Sequence, residues 1–238
     1  RIIYKKASAQ CGCMRLAKKR VVVTGGGRGI GHAVCAALVG QGALVFSLDV
    51  SPPDDPVAGV RYLVANVTDG ASLRRAFRRI GKLINVVVNN AGVIRRGTLF
   101  DVSEDEYAAL WAVNVRGSWL AIKEALPYLV KRPMVVQMSS YRALHVCRDP
   151  AVYALSKKAV TDFAHALQLT YPSWSVRCVF PGPTDTQMAR YGFCGKALKQ
   201  RLRIMLTPQD LADRIVRFMH SDKHALVYDR KRNVYATR

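Results

Sequence analysis

Tyr153 and Lys157 stand four residues apart in "YALSK", with only small or apolar residues and one serine between them. On an α-helix, positions i and i+4 share a face, so the phenol and the ammonium meet on one side of one helix. A nearby cation favours the phenolate and lowers the phenol's pKa from about 10. A phenol tuned in this way exchanges a proton with an alcohol near neutral pH.

A second stretch, "RVVVTGGGRGIG", reads as a β-branched strand, a glycine-rich turn and the start of a helix. Amides at a helix N-terminus point outward, and the helix dipole favours an anion there. Glycines let a pyrophosphate approach the backbone closely. Thr24, Gly25, Arg28, Gly29, Ile30 and Gly31 are therefore candidate dinucleotide contacts, although their spacing differs from the GxGxxG fingerprint. Asp49 ends the next strand, 24 residues after Gly25. A carboxylate there accepts hydrogen bonds from ribose hydroxyls and repels a 2′-phosphate. Arg28 pulls the other way, because a guanidinium in the turn pairs with that phosphate. NAD is favoured, with NADP as the alternative.

The elements that must carry these residues alternate along the chain. Strands are expected in "ALVFSLD", "VRYLVANV", "LINVVVNNAG", "MVVQMSS" and "SVRCVFPG", with "HALVYD" as a candidate seventh. Helices are expected in "IGHAVCAALVGQG", "SLRRAFRRI", "AVYALSKKAVTDFAHALQLTY" and "TPQDLADRIVRFMHS". One long helix is expected over "EDEYAALWAVNVRGSWLAIKEALPYLV", with acidic residues near its start. Alternation of this kind implies a parallel sheet covered on both faces. The expectation is a single doubly wound, Rossmann-type α/β domain over residues 19–238, with a mostly parallel sheet of six or seven strands. Residues 1–18 read as a poorly ordered extension, with Met14 as a candidate start.

With 238 residues, half of them hydrophobic, the chain suits one well-buried domain. No apolar run approaches the roughly 18 residues that span a bilayer, and the N-terminus lacks the apolar core of a signal peptide. Six scattered cysteines without a CxxC read as reduced thiols of a cytoplasmic protein, and no metal site is expected. The net charge of +21 attracts polyanions nonspecifically. No nucleic-acid-binding motif accompanies it, so no specific nucleic acid and no membrane is expected as partner.

"TGGGRGIG", "NNAG" at 89–92, Asn114 in "NVRGSWL", a serine 13 residues before Tyr153, "YALSK" and "PGPTDT" occur in one order between about residues 20 and 219. In this the chain resembles the short-chain dehydrogenase/reductase family. The resemblance implies an oxidoreductase that moves a hydride between nicotinamide and a secondary alcohol or ketone. It implies Tyr153 as general acid/base, and Lys157 as holding the nicotinamide ribose and lowering the Tyr153 pKa. It implies Ser140 on the substrate oxygen, with Ser139 structural, and Asn114 on a relay water. Asn66 stands where the family has an aspartate beside the adenine, next to Val67. Asn89, Ala91 and Gly92 would line the cofactor. Thr186 would meet the nicotinamide carboxamide, along with Pro181, Gly182 and Thr184. The C-terminus departs from the family's usual ending, which leaves a homodimer or homotetramer less secure than the site.

Candidate substrate residues are Arg95, Ser140, Tyr141, Arg142, His145, Met188, Tyr191 and Phe193. Bulky Tyr141 and charged Arg142 are expected to narrow the pocket and suit a small or medium substrate carrying an acidic group. Leu198, Leu202 and Met205 or Leu206 recur at helical spacing opposite a basic face, so the segment at about 187–206 reads as a substrate lid. An alternative stays open: a catalytically idle dinucleotide sensor or scaffold that binds an anionic partner through its basic surface.

Overall fold

The computed structural model describes residues 15–145 and 147–238. Strands β1 (Arg20–Thr24), β2 (Leu44–Asp49), β3 (Val60–Val64), β4 (Ile84–Asn89), β5 (Leu129–Met138), β6 (Ser175–Phe180), β7 (Ala225–Asp229) and β8 (Val234–Thr237) form one sheet. Their order is β3-β2-β1-β4-β5-β6-β7-β8. All neighbours are parallel except β7 and β8, which pair antiparallel. The order reverses at β1, so the clefts beyond the ends of β1 and β4 form the switch point where ligands of such sheets bind.

Helices cover both faces. α1 (Gly29–Gly40) and α8 (Pro208–Met219) pack on one side through Val34, Leu38, Leu211 and Ile215 against Val21, Val23 and Val86. On the other side lie α2 (Gly70–Ile80), α4 (Gly117–Ala125) and α5 (Ala151–Thr170), burying Leu73, Phe77, Leu120 and Ala164 against Val22, Val87 and Val135. Adjacent residues of β1 thus serve opposite cores, which explains why the parallel strands read as unbroken β-branched runs. Capping follows local chemistry. Asp69 caps α2, Ser103 and Glu106 form a capping box on α3 (Glu104–Trp111), and Thr207 caps α8 with Pro208 in its first turn.

Three expectations are revised. The sheet has eight strands, because "VYAT" folds back on β7. The reversal is a turn in which Asp229 accepts from the amides of Lys231 and Arg232 and Asn233 has φ of 52°. The long helix is broken: a π-helical turn over Ala112–Arg116 separates α3 from α4. α4 ends at Ala125, after which Pro127 lies in a 3-10 turn and Leu129 already belongs to β5. At the N-terminus, residues 1–14 lie outside the described residues, but Leu16 is buried in the core and the Lys18 amide donates to the Gly42 carbonyl. Two short helices, α6 (Gln187–Arg190) and α7 (Gly195–Leu202), occupy the segment read as a lid.

Candidate active site

β5 delivers Ser139 and Ser140 to its C-terminal end, and α5 brings Tyr153, Ser156 and Lys157 alongside. Ser139 donates to the Lys157 carbonyl at 2.9 Å and lies 2.8 Å from the Thr161 hydroxyl, so it fastens α5 to the sheet. Ser140 instead caps a 3-10 turn, Tyr141–Leu144, accepting from the Arg142 amide. Its hydroxyl also meets the Tyr153 phenol. Tyr153 and Lys157 are both buried, with the Lys157 amine 5.9 Å from the Tyr153 ring centroid. That amine donates to the Met138 carbonyl at 2.9 Å.

Asn114 arrives from the π-helical turn. The wider turn aims it inward, where its Oδ1 accepts from the Val93 amide at 2.8 Å. Its Nδ2 donates to the Val93 carbonyl and to Ser156, both at 3.0 Å. A Cβ built on Gly92 would lie 3.2 Å from both Asn114 Oδ1 and Lys157 Nζ, so both border the space that glycine leaves open there.

One electrostatic expectation is reversed. Burial pushes the Tyr153 phenol up to about 12, while the hydrogen bond to Ser140 and, less strongly, the Arg142 charge pull it back. Lys157 is itself pushed down to about 8 by burial. Desolvation outweighs the spacing argument because both groups are shielded from water.

At the ends of β1 and β4 lies the glycine turn. Gly25 has φ of 67°, a conformation that glycine adopts without strain. A Cβ on Gly31 would sit 2.1 Å from the Gly25 carbonyl oxygen, so the helix starts hard against the turn. Thr24 is fully buried and is the knot of this region: its hydroxyl donates to Asn89 and accepts from the amides of Asn90 and Ala91. Asn89 also donates to the Ser118 carbonyl at 2.7 Å. The side chains of Thr24 and Asn89 therefore tie β1 to β4 and to α4. Asn90, which sequence reasoning passed over within "NNAG", holds the turn by donating to the carbonyls of Thr24 and Gly25.

The turn fits a dinucleotide. α1 has no side-chain cap, unlike α2, α3 and α8, and no acidic residue in its first turn. Its free amides and dipole suit a pyrophosphate. Asp49 closes the turn's far side, its Oδ2 accepting from the Gly27 amide at 2.8 Å and its Oδ1 from the Val50 amide. The Arg28 guanidinium donates to Gln187 Oε1 at 3.2 Å. Asn66 is exposed and turns its Oδ1 onto Thr68, while Val67 is buried beneath Gly117. Ile30 is partly buried against the core. Beyond β6, Pro181 accepts from the Tyr141 amide, the Gly182 amide donates to the Tyr235 hydroxyl, and Thr184 is buried. Thr186 caps α6 and reaches over the turn: a Cβ on Gly29 would lie 3.2 Å from its Cγ2.

The short chain dehydrogenase family model matches residues 19–193, which span these features from the glycine turn to α6. The chain belongs to the short chain dehydrogenase family. It is 33% identical to the oxidoreductase UcpA of Escherichia coli strain K12, over 74% of this chain and 73% of that protein. It is 31% identical to 2,3-dihydro-2,3-dihydroxybenzoate dehydrogenase of Bacillus subtilis, over 71% of each. Among solved structures, ligand-free aldohexose dehydrogenase of Thermoplasma acidophilum superposes with a TM-score of 0.78 at 28% identity, covering 87% of this chain and 88% of that one.

In the turn after Ser140 of this short chain dehydrogenase, Tyr141 packs edge-on to Tyr228 at 5.6 Å, and the Arg142 guanidinium lies 5.0 Å from the Tyr141 centroid. Phe193 is held between two guanidiniums, Arg96 and Arg201, each 4.0 Å from its centroid. Neither arginine stood out in the sequence, where each is one basic residue in a run. Arg95 is turned to Glu106 at 3.4 Å, away from this group. His145 and Tyr191 are exposed, and Met188 is 38% exposed. Leu198 is half-buried on α7 and Leu202 is exposed. No helix of the described residues is long and apolar enough to cross a membrane.

Proposed function

We propose that this short chain dehydrogenase catalyses NAD(P)-dependent interconversion of a secondary alcohol and a ketone, with NAD favoured. The observation that carries the reading is the convergence of Ser140, Tyr153, Lys157 and Asn114 beside the uncapped start of α1. A bound nicotinamide supplies the hydride or accepts it. In reduction, Tyr153 gives its proton to the carbonyl oxygen while Ser140 donates a hydrogen bond to that oxygen. A phenol raised to about 12 is protonated at neutral pH and ready for this direction. In oxidation, the hydroxyl passes its proton to Tyr153, and the Ser140 hydrogen bond and the Arg142 charge favour the phenolate that must form first. Asn114 and the amine of Lys157 border one open space beside Gly92, a suitable place for a relay to solvent.

NAD is favoured because the Asp49 carboxylate borders the turn, where a 2′-phosphate would be repelled. Arg28 is engaged with Gln187. The segment 187–206 serves as a substrate lid, and assembly into a homodimer or homotetramer belongs to the same reading.

The test is a panel of secondary alcohols and ketones followed at the NADH absorbance band with both dinucleotides, beside Tyr153→Phe. The variant keeps the ring and loses the proton. Turnover that falls by about 100-fold or more is expected, in line with the usual worth of a positioned acid/base. Wild-type rates in Tyr153→Phe would overturn the assignment.

A further inference from the structure

We propose that the substrate is a hydroxy acid or the corresponding oxo acid, its carboxylate held at the mouth of the site by Arg142 and Arg201. This rests on the dehydrogenase reading and adds the substrate class to it.

Three guanidiniums converge on the rim beside Ser140. Arg96 comes from the loop after β4, Arg142 from the turn after β5 and Arg201 from α7. Their charges are unequally balanced. Arg96 is paired with Asp149 at 2.8 Å and also donates to the Tyr191 carbonyl. Arg142 and Arg201 have no ion pair among the described residues. Arg201 is half-buried, and its Nε is shut off from solvent without a hydrogen-bond partner among the described residues. Burial lowers its pKa first and the charge of Arg96 next, with a smaller push from Arg142, while Tyr141 and Asp149 oppose them. Like charges gathered in a partly dry place are unfavourable unless an anion joins them.

The geometry also says what sort of anion fits. Guanidiniums laid against rings have their planes fixed, and their N–H edges remain available for hydrogen bonding. Arg201 lies against Phe193 and Arg142 against Tyr141. A planar guanidinium edge matches a planar carboxylate, two parallel bonds to two oxygens. The rim is electrically continuous with the chemistry, since the Arg142 charge is felt both at Tyr153 and at Arg201. Oxidation then removes a hydride from the carbinol carbon to the oxidised dinucleotide and a proton from its hydroxyl through Tyr153. The C–O bond becomes C=O, and the carboxylate is unchanged.

The experiment compares 2- and 3-hydroxybutyrate with the matching hydroxybutyramides, 2-butanol and glycerol 3-phosphate. Wild type, Arg142→Ala, Arg201→Ala and Arg201→Lys are assayed with NAD and NADP. One acid is expected to exceed its amide at least tenfold in kcat/KM. Each alanine variant should collapse that preference toward one, mainly through KM, and Arg201→Lys should restore part of it. Equal acid and amide rates in wild type, or alanine variants that keep the preference, would overturn the proposal. A preference for glycerol 3-phosphate over every hydroxybutyrate would overturn the carboxylate assignment. Turnover of 2-butanol that dies in Tyr153→Phe, without acid preference, would leave the dehydrogenase reading standing and remove only the acid. A binding measurement covers slow substrates. Calorimetric titration of succinate into wild type with NAD should show saturable binding, at least tenfold weaker in Arg201→Ala, and absence of binding beside absence of acid turnover overturns the proposal.

Discussion

Lys157 is the residue at which function and stability conflict most directly. Its amine is buried, with the Met138 carbonyl as its acceptor, and burial lowers its pKa from 10.5 to about 8. The folded state therefore binds this proton more weakly than the unfolded chain. The linkage sign follows: this contribution is present above the unfolded pKa and is lost as pH falls through the folded one. Between pH 7 and 9 the unfolded lysine stays protonated while the folded one mostly releases its proton, worth about 1 kcal/mol. Lys157→Met removes this titration and the buried charge while keeping most of the volume. We expect denaturant unfolding to show wild type gaining about 1 kcal/mol more than Lys157→Met from pH 7 to pH 9. The variant should be the more stable protein at pH 7 and should lose oxidoreductase turnover. An identical pH dependence in the two proteins would show that Lys157 is not buried as an ammonium.

At the scale of elements, α1 shows that one residue type can have opposite effects at two ends of a helix. A Cβ at Gly31 would meet the Gly25 carbonyl and the Asn90 amide, both fixed, whereas one at Gly40 meets nothing within 4 Å. Gly31→Ala is expected to cost roughly 2 kcal/mol or more through overpacking and to abolish NADH binding. Gly40→Ala is expected to add about 0.5 kcal/mol, because alanine narrows the unfolded ensemble and suits a helix. Chemical denaturation of the two variants beside an NADH titration tests the pair. The sequence made α1 readable because its glycines, apolar spacing and preceding β-branched run all describe one local unit. β8 was not readable, since "VYAT" is short and follows charged residues, and only its partner β7 makes it a strand. The π-helical turn was hidden for a related reason: Asn114 is drawn inward by Val93 and Ser156, which are distant in sequence. The motif residues of the site were readable as a set, but the roles of Thr24 and Asn89 as buried ties were not. The arginines around Phe193 were invisible as a group, because residues 96 and 201 become neighbours only when the chain folds both against Phe193.

For the whole molecule the governing quantity is charge. The chain has 37 lysines and arginines against 16 aspartates and glutamates, a net of +21. Most ion pairs of the described residues are exposed, such as Lys158 with Asp162 and Lys223 with Asp222, and pairs of that sort stabilise little. Self-repulsion of the fold is therefore largely uncompensated, and it is compact folding that brings the charges close. Added salt shortens the reach of each charge, from about 20 Å at 0.02 M to about 6 Å at 0.3 M. We expect the melting temperature of the ligand-free protein to rise by several degrees over that range in sodium chloride. The same screening weakens attraction of an anionic dinucleotide toward α1, so NADH affinity should fall as stability rises. Opposite slopes distinguish repulsion spread over the surface from attraction focused at the site. A melting temperature that falls with salt would mean that attractive pairs dominate the fold after all, and the basic surface would then need a different account.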